Sequence, residues 1–389
     1  FLEALNSARS ALYISYTGAS ARDDTLQPPS VVVSELLEEI DALTRDPTRS
    51  EQLTVRHPLQ PFSERYFDGS AELFSYAEEM VTPATVSIQD TPPLFASKLE
   101  APEPGDLSLD QLVDFLANPA RVLLKGRLNI SLEPGAALLP VREPMVLDPR
   151  ARRALERDAL AAQLSGEERT RFIEQSRLGG ALPSGMPGVL AAQQAWTRAT
   201  PVMTHLAPLL DPEPGQTVAI ETVLEGWRLH GLLENVGSNG QILWSVDALS
   251  PWVMLRAWCA HLLLNTDSGA PSHETHLVDA AGVIRFPAQE DAVAKLRSLI
   301  EVYREGLCRP VPFFPRSAWA YVSAAKNPLG KAQRIWMGSE YAAAVGESAD
   351  PFFALAFRDR LDTALDGEFE GLAAQVFGTP ARLVKEARG

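Results

Sequence analysis

The sequence predicts a mixed fold of the α+β or α/β class, with a central, mainly antiparallel sheet flanked by helices. Three strand-like runs lie at residues 218–224, 227–236 and 241–246, and the short segments between them have the glycine-rich composition of hairpin turns. Apolar residues recur every three or four positions in the segments around these runs, which is typical of helices packed on a core. The order of elements is therefore meander, helix, hairpin, helix.

The composition fits a globular protein with a substantial core. Of the 389 residues, 46% are hydrophobic and 22% are charged, and a chain of this length can form two or three domains. No apolar stretch approaches the ~20 residues needed to cross a bilayer, so we expect a soluble protein without membrane contact. Two cysteines, Cys259 and Cys308, are too few for a disulfide framework and favour the cytoplasm.

The net charge argues against a protein that wraps nucleic acid by itself. Thirty-five Lys and Arg stand against fifty Asp and Glu, a formal net charge of −15. Domains that bind nucleic acid alone are usually basic. Any contact with DNA should therefore come from a local patch or from partner subunits.

Changes in sequence texture divide the chain into three segments. Residues 1–47 begin within a helical pattern, continue through a buried strand at 12–17, and end with a helix that starts after Ser30. Residues 48–105 are proline-rich and read as a connector. Residues 106–389 form the main domain. Because Phe1 already lies within a helical pattern, we expect the chain to be the C-terminal part of a longer protein.

Local signals predict where the helices and hairpins of the main domain begin. Ser108 and Gln111 form a capping box, and Ser250 with Pro251 supplies an N-cap and a first-turn proline. A hairpin is expected around residues 279–282, and a further helix from Gln289.

Several stretches resemble a known family. The runs LYISYTG at 12–18 with PSVVVSELL at 29–37, and HPLQPFSERYF at 57–67, are similar to RecC, the gamma subunit family of the bacterial exodeoxyribonuclease V complex RecBCD. Shorter matches lie at 182–185, 257–262 and 355–358. The resemblance spans essentially the whole chain, which would correspond to the C-terminal third of such a protein.

The resemblance implies two degenerate domains. RecC-like proteins look like an inactive superfamily 1 helicase joined to an inactive RecB-type nuclease of the PD-(D/E)XK superfamily, so residues 1–47 would be the tail of the helicase-like domain and residues 106–389 the nuclease-like domain. In working helicases the strand matching 12–17 ends in Thr-Arg, and the guanidinium completes the ATP phosphate site. Here Gly18 follows Thr17, so we expect no ATP site in this chain.

The nuclease-like positions also depart from the active pattern. The segment 231–234 places Glu234 where the family has an aspartate, and 246–249 places Asp247 and Leu249 where it has Asp-x-Lys. Leucine cannot activate a water molecule, and no lysine occurs between Lys125 and Lys295. We therefore expect neither a catalytic site nor a bound metal or cofactor, with ATP and Mg²⁺ used by partner subunits. The alternative is a metal-dependent nuclease that uses Glu221, Glu234 and Asp247.

One segment has the composition of a single-strand DNA channel. Residues 308–337 combine cations with aromatic rings and contain no Asp or Glu, and such rings can stack on unpaired bases. The candidate DNA contacts are Arg309, Arg316, Trp319, Lys326, Lys331, Arg334 and Trp336. The competing interpretation is that the rings belong to the core and the cations to an ordinary solvated surface.

The histidines invite a weaker hypothesis. His273 and His276 lie near His261 and Cys259 in sequence, which suggests zinc, but the spacing is not that of a helical zinc motif. Ordinary surface histidines are the favoured interpretation.

The leading functional hypothesis is a non-catalytic, DNA-handling scaffold in a recombinational DNA repair helicase-nuclease. The resemblance implies docking to RecB-like and RecD-like motor subunits, routing of the separated strands, and Chi-related regulation. Forked or single-stranded DNA ends should be preferred, since stacking needs unpaired bases.

Overall fold

The computed structural model describes residues 1–20, 25–70, 73–80, 94–95, 97–132, 145–180, 182–211, 215–339 and 344–388. They belong to two compact units, Phe1–Pro92 and Pro93–Gly389. Part of the predicted connector, including residues 81–93, lies outside the described residues. Among the described helices, none is long and apolar enough to cross a membrane.

The first unit is built from short helices with little burial. Its α-helices are α1 (Leu2–Ser7), α2 (Val31–Thr44) and α3 (Arg49–Leu53), followed by 3₁₀ turns at Glu64–Tyr66 and Glu78–Met80. None of the three α-helices contains a buried residue. Ser30 is the N-cap residue of α2, as its sequence predicts, although its side chain makes no capping hydrogen bond.

The prediction of a buried strand at residues 12–17 is wrong. The backbone there belongs to no strand, and the Tyr13 side chain is 83% exposed. The nearest sheet-like contact is the isolated bridge between Ala19 and Leu26. A run of β-branched and aromatic residues forms a buried strand when a neighbouring strand pairs its backbone and a second layer covers its side chains. The described residues of this unit provide neither.

The second unit contains a mixed sheet that includes the predicted meander. Its strands are β1 (Asp106–Ser108), β2 (Gln216–Leu224), β3 (Trp227–Gly237), β4 (Gly240–Trp244), β5 (Thr275–Asp279) and β6 (Gly282–Phe286). The order is β1-β3-β4-β5-β6, with β2 beside β3. Pairs β2/β3, β3/β4 and β5/β6 are antiparallel, whereas β1/β3 and β4/β5 are parallel. The meander and the later hairpin are thus confirmed, and the parallel pairings make the sheet mixed.

The hairpin turns follow from residues that tolerate a positive φ. Between β2 and β3, Glu225 and Gly226 have φ values of 51° and 82°, and a two-residue turn of this hand matches the twist of the strands. Gly240 begins β4 with φ 92°, and a Cβ atom there would lie 2.2 Å from the carbonyl oxygen of Glu274. A side chain at this position would therefore push β4 away from the segment that leads into β5.

The helices of the second unit start where the capping signals predict. Ser108 and Gln111 form the complete capping box, and Ser250 caps the helix that begins at Pro251. The α-helices are α4 (Leu109–Ala117), α5 (Pro119–Leu128), α6 (Pro149–Leu164), α7 (Arg169–Leu178), α8 (Met186–Leu206), α9 (Pro251–Leu264), α10 (Ala292–Gly306), α11 (Pro315–Ser323), α12 (Pro328–Met337), α13 (Pro351–Ala356) and α14 (Gly367–Arg388). A two-stranded ribbon, β7 (Gly338–Ser339) and β8 (Ala344–Val345), follows α12.

Two hydrophobic cores lie on opposite faces of this sheet. Leu277 and Ile284 belong to the larger core with helices α4, α9, α10, α11, α12 and α14, whereas the adjacent Val278 belongs to a smaller core with α6, α7 and α8. Alternate side chains of a strand point to opposite faces, which explains the division. The smaller core includes residues of β4, β5 and β6 and none of β2 or β3, where Val223 and Leu232 remain about two-thirds exposed.

Candidate functional site

The two acidic residues at the nuclease-like positions come from β3 and from the segment after β4. Glu234 lies on β3 with an exposed side chain, and Asp247 follows β4 by three residues. Glu221 is also exposed, on β2, where its register partner is His230 of β3. The antiparallel meander thus positions all three acids through neighbouring strands.

An arginine neutralises the carboxylate of Asp247. The Arg153 guanidinium, on α6, lies 3.3 Å from Asp247 Oδ1, and both side chains are roughly half exposed. Leu249, at the position of the family's lysine, packs against the larger core. A permanent cation therefore lies against one oxygen of the Asp247 carboxylate, and an apolar side chain stands where the resemblance would place the water-activating lysine.

These residues do not fit the divalent metal of the PD-(D/E)XK pattern. Across the described parts of the chain, no three His, Cys, Asp or Glu side chains come together in a way that could hold a metal ion. Glu221, Glu234 and Asp247 accordingly form no such group, and the geometry does not favour the nuclease alternative.

Gly18, which the resemblance places at the end of the helicase-like motif, is partly buried and belongs to no helix or strand. The carbonyl of Gly18 accepts a hydrogen bond of 2.9 Å from the backbone N–H of Gln27. A Cβ atom at Gly18 would make an ordinary contact of 3.5 Å with the Tyr16 ring. The backbone would therefore accept a larger residue here, and the glycine reflects no steric requirement of the fold.

Two of the candidate DNA-binding arginines have partners in remote segments of the protein. Arg309 donates to Glu305 and to both carboxylate oxygens of Glu368, and the hydrogen bond to Glu368 raises the pKa of its guanidinium. Arg316 donates to the carbonyl of Val345 at 3.3 Å. Arg309 ties α10 to the start of α14, which is a structural role.

The start of α11 is capped by a buried acid. The backbone N–H groups of Arg316 and Ser317 donate to Glu347 at 2.9 and 2.8 Å, and the Ser317 hydroxyl donates at 2.8 Å. Burial raises the pKa of the Glu347 carboxyl, while these hydrogen bonds oppose the shift. This cap connects a remote segment to the helix and fixes the backbone beside Arg316.

The expectation of an exposed ring at Trp336 is wrong. Its side chain is 2% exposed, its ring centroid lies 4.0 Å from that of Phe314, and its Nε1–H donates to the carbonyl of Leu361 at 2.9 Å. Trp319 is partly buried and meets Phe377 edge to face. Both rings pack in or against the larger core, and the buried Trp336 ring cannot stack on a base.

The remaining three candidates form an exposed basic surface around α12. Lys326 lies just before the helix, and Lys331 and Arg334 are one turn apart on it. None of the three forms an ion pair with a described residue. We call these residues the α12 basic surface. Their charges are therefore not neutralised by a described carboxylate.

The histidine and cysteine cluster is structural. His261 is fully buried, with Nδ1 2.9 Å from the Thr275 hydroxyl and Nε2 3.1 Å from the carbonyl of Pro287. Burial lowers its pKa to about 4 and raises that of Cys259 to about 12. His276 lies beside Glu274, which itself pairs with Arg285. The expectation of surface histidines is therefore wrong for His261, which is a satisfied core residue.

Comparison with known proteins gives a consistent result. The family model described as "RecC C-terminal domain" matches residues 104–326. The chain is 30% identical over 338 residues to the RecBCD enzyme subunit RecC of Escherichia coli K12, covering 83% of this chain and 30% of that protein. It is 26% identical over 361 residues to the RecC subunit of Mycobacterium tuberculosis H37Rv, covering 87% and 32%. The chain thus spans about a third of the length of these relatives.

Proposed function

The chain belongs to the RecC C-terminal domain family, and we propose that it acts without catalysis of its own, as a DNA-handling scaffold in a RecBCD-type repair and recombination complex. The observation that carries the proposal is the Arg153–Asp247 ion pair at the nuclease-like position, together with Leu249 in place of lysine. The Arg153 guanidinium competes with a metal ion for the Asp247 carboxylate, and Leu249 cannot activate a water molecule.

The element order supports a nuclease-like ancestry for the second unit. The antiparallel meander β2–β3–β4 is followed by the crossover helix α9. The next strand, β5, then pairs parallel to β4. The two degenerate acids occur on the second strand and after the third, where the PD-(D/E)XK pattern has its metal ligands. We therefore assign residues 106–389 to an inactive nuclease-like domain, preceded by a connector at 48–105.

For the first segment, residues 1–47, we propose a remnant of an inactive helicase-like domain. Its helices bury no residues, and apolar side chains such as Leu2, Val31 and Leu43 are more than two-thirds exposed. Apolar surface of this extent is typical of a segment that packs against further protein. With Gly18 at the end of the helicase-like motif, this segment supplies no guanidinium for ATP.

The partners proposed for this chain are RecB-like and RecD-like subunits and DNA. These motor subunits would use ATP and Mg²⁺, while this chain binds no cofactor, works in the cytoplasm and helps to separate and route the two strands. The α12 basic surface supports contact with a strand, because its cations are exposed and form no ion pair with a described residue. Regulation at Chi belongs to this proposal through the family.

The function is tested by incubation with linear DNA and Mg²⁺ or Mn²⁺. We expect no degradation by the chain, and none by the double variant Glu234→Ala, Asp247→Ala. Degradation by the wild type that the double variant loses would replace the scaffold with a nuclease. With RecB-like and RecD-like subunits added, forked DNA should be unwound only when this chain is present, since it contributes strand routing and docking.

A further inference from the structure

The helical layer α6–α8 has a charge unlike the rest of the chain. Residues 148–206 contain eight arginines, no lysine and six acidic residues, whereas the whole chain has a net charge of −15. Four of these arginines, Arg150, Arg157, Arg169 and Arg177, are exposed and form no ion pair with a described residue. Arginine rather than lysine is suited to planar, two-point contacts with phosphate oxygens.

A cleft in this layer brings two arginines together. It lies between the start of α7 and the middle of α8 and has a volume of about 300 Å³. Its lining residues are Arg169, Leu190, Gln193, Gln194, Thr197 and Arg198. No carboxylate lines it. The cleft thus offers two permanent cations and neutral amide and hydroxyl groups, and it lacks the acidic side chains that would repel an anion.

A buried acid holds one side of the cleft in place. Arg198 donates to Glu156 Oε1 at 2.7 Å, and Glu156 is 4% exposed. One ion pair uses only part of the guanidinium fork, so N–H groups of Arg198 remain for a second anion. Arg169, on the facing helix, has no acidic partner among the described residues. The geometry is that of one anchored and one free guanidinium around an open space.

We propose that this cleft binds a backbone phosphate of a DNA strand, with Arg169 and Arg198 as the charged contacts and Gln193 and Gln194 as neutral donors. The inference rests on the proposed DNA-handling function and adds a second contact surface to the α12 basic surface. Contacts of this kind position a strand without reading its sequence. The cleft would therefore fix the path of a strand over the α6–α8 side of the sheet.

The test uses the 389-residue chain and a labelled single-stranded oligonucleotide, with fluorescence anisotropy over a salt series. The two cleft variants are Arg169→Gln, which removes the free guanidinium, and Gln194→Glu, which adds a carboxylate. Arg177→Gln is the matched control, because it changes the net charge equally, lies on the same helix and is outside the cleft. Neither cleft variant exposes Glu156, so both should fold, and thermal unfolding checks this.

We expect each cleft variant to weaken binding roughly tenfold and to reduce the salt slope by about 0.7 for the lost phosphate, with a much smaller effect of Arg177→Gln.

Equal effects of all three variants on binding, or no effect of any of them, would overturn the site. If the cleft variants weaken the binding of millimolar inorganic phosphate and leave oligonucleotide binding unchanged, the cleft binds small anions, and the proposal is also overturned. If Lys326→Ala, Lys331→Ala, Arg334→Ala loses binding while the cleft variants do not, the DNA-handling function stands and this cleft fails. If no form binds DNA, both fail.

Discussion

The two faces of the sheet are built from different materials. On one face, Phe313, Phe314, Trp336 and several further rings fill a core with few charges, and the acid Glu347 is satisfied by three hydrogen bonds. On the other, a small core of mostly Ala and Leu carries three helices with eight arginines on them. The difference indicates that one face supplies most of the stability, while the other carries the arginines to which we assign a DNA contact.

The largest expected effect on the free energy of unfolding is from Phe314→Ala. The Phe314 ring is 0% exposed and lies near Trp336, Phe353 and Phe357, with ring centroids 4.0 to 5.1 Å away. Its removal leaves a cavity among rigid rings that cannot collapse, and should cost about 3–5 kcal/mol in a urea titration.

The matched variant on the opposite face is Phe172→Ala. Phe172 is 4% exposed, and Trp196 is its ring neighbour, at 5.6 Å. The smaller core around Phe172 consists mostly of Ala and Leu side chains, which can move into the space that the ring leaves. The loss in the free energy of unfolding should therefore be clearly smaller than that of Phe314→Ala. Equal costs for the two substitutions would show that both faces contribute alike and would remove the contrast.

Acid should destabilise the larger core through His261. Burial holds its folded pKa at about 4, below the usual 6.5, so the unfolded chain binds more protons between these values. The stabilisation from neutral His261 is complete above pH 6.5 and is lost as the pH falls toward 4. A shift of this size corresponds to ~3 kcal/mol.

The measurement is the free energy of unfolding from pH 4 to 7.5 for the wild type and His261→Gln. Other groups titrate in both proteins, so the difference between the two curves isolates His261. That difference should shrink as the pH falls, since the variant lacks the group that the wild type must keep neutral. Parallel curves would contradict a buried neutral imidazole.

Local signals in the sequence predicted much of this larger domain. Ser108 with Gln111 gave a capping box, and the turns around 225–226 and 237–240 gave a meander, because caps and turns depend on a few adjacent residues. Packing could not be predicted in this way. Its aromatic type suggests that Trp336 is a stacking ring, and its burial depends on contacts with Phe314 and with Phe353 of α13, which are remote in sequence.

The candidate sites show the same division. The absence of lysine at the nuclease-like position is visible in the sequence, but the Arg153–Asp247 pair joins residues 94 positions apart. The facing of Arg169 and Arg198 depends on how α7 packs on α8. The signal in the sequence is that residues 148–206 contain eight arginines and no lysine, which indicates a charged layer without locating the cleft.

Helix caps on the two faces should contribute similar, smaller amounts. Ser108 accepts from the backbone N–H of Gln111 at 3.1 Å, and Asp148 accepts from those of Arg150 and Ala151 at 2.7 and 2.9 Å. Each substitution to Ala should cost about 1 kcal/mol in thermal unfolding. If Asp148→Ala lowers the free energy of unfolding more than Phe172→Ala does, the proposed order is reversed, because the α6–α8 layer would then depend on its helix caps more than on its core.

The smallest effect on stability, and a clear effect on DNA, is expected from Lys326→Ala, Lys331→Ala, Arg334→Ala. The three side chains are exposed and form no ion pair with a described residue, and the hydrogen bond of Arg334 to the carbonyl of Gly330 is exposed and 3.4 Å long. Their loss should therefore change the free energy of unfolding by less than about 0.5 kcal/mol for each substitution. If the α12 basic surface lines a strand path, binding of forked DNA should weaken and its salt slope should decrease by about 0.7 to 0.9 for each lost phosphate contact. The basic surface near α12 would then be a second charged region, on the aromatic face, and the contrast between the faces would apply to stability alone. Unchanged binding across the salt series would instead place the DNA contacts outside the α12 basic surface, and a loss of binding in Arg169→Gln would then assign them to the α6–α8 layer.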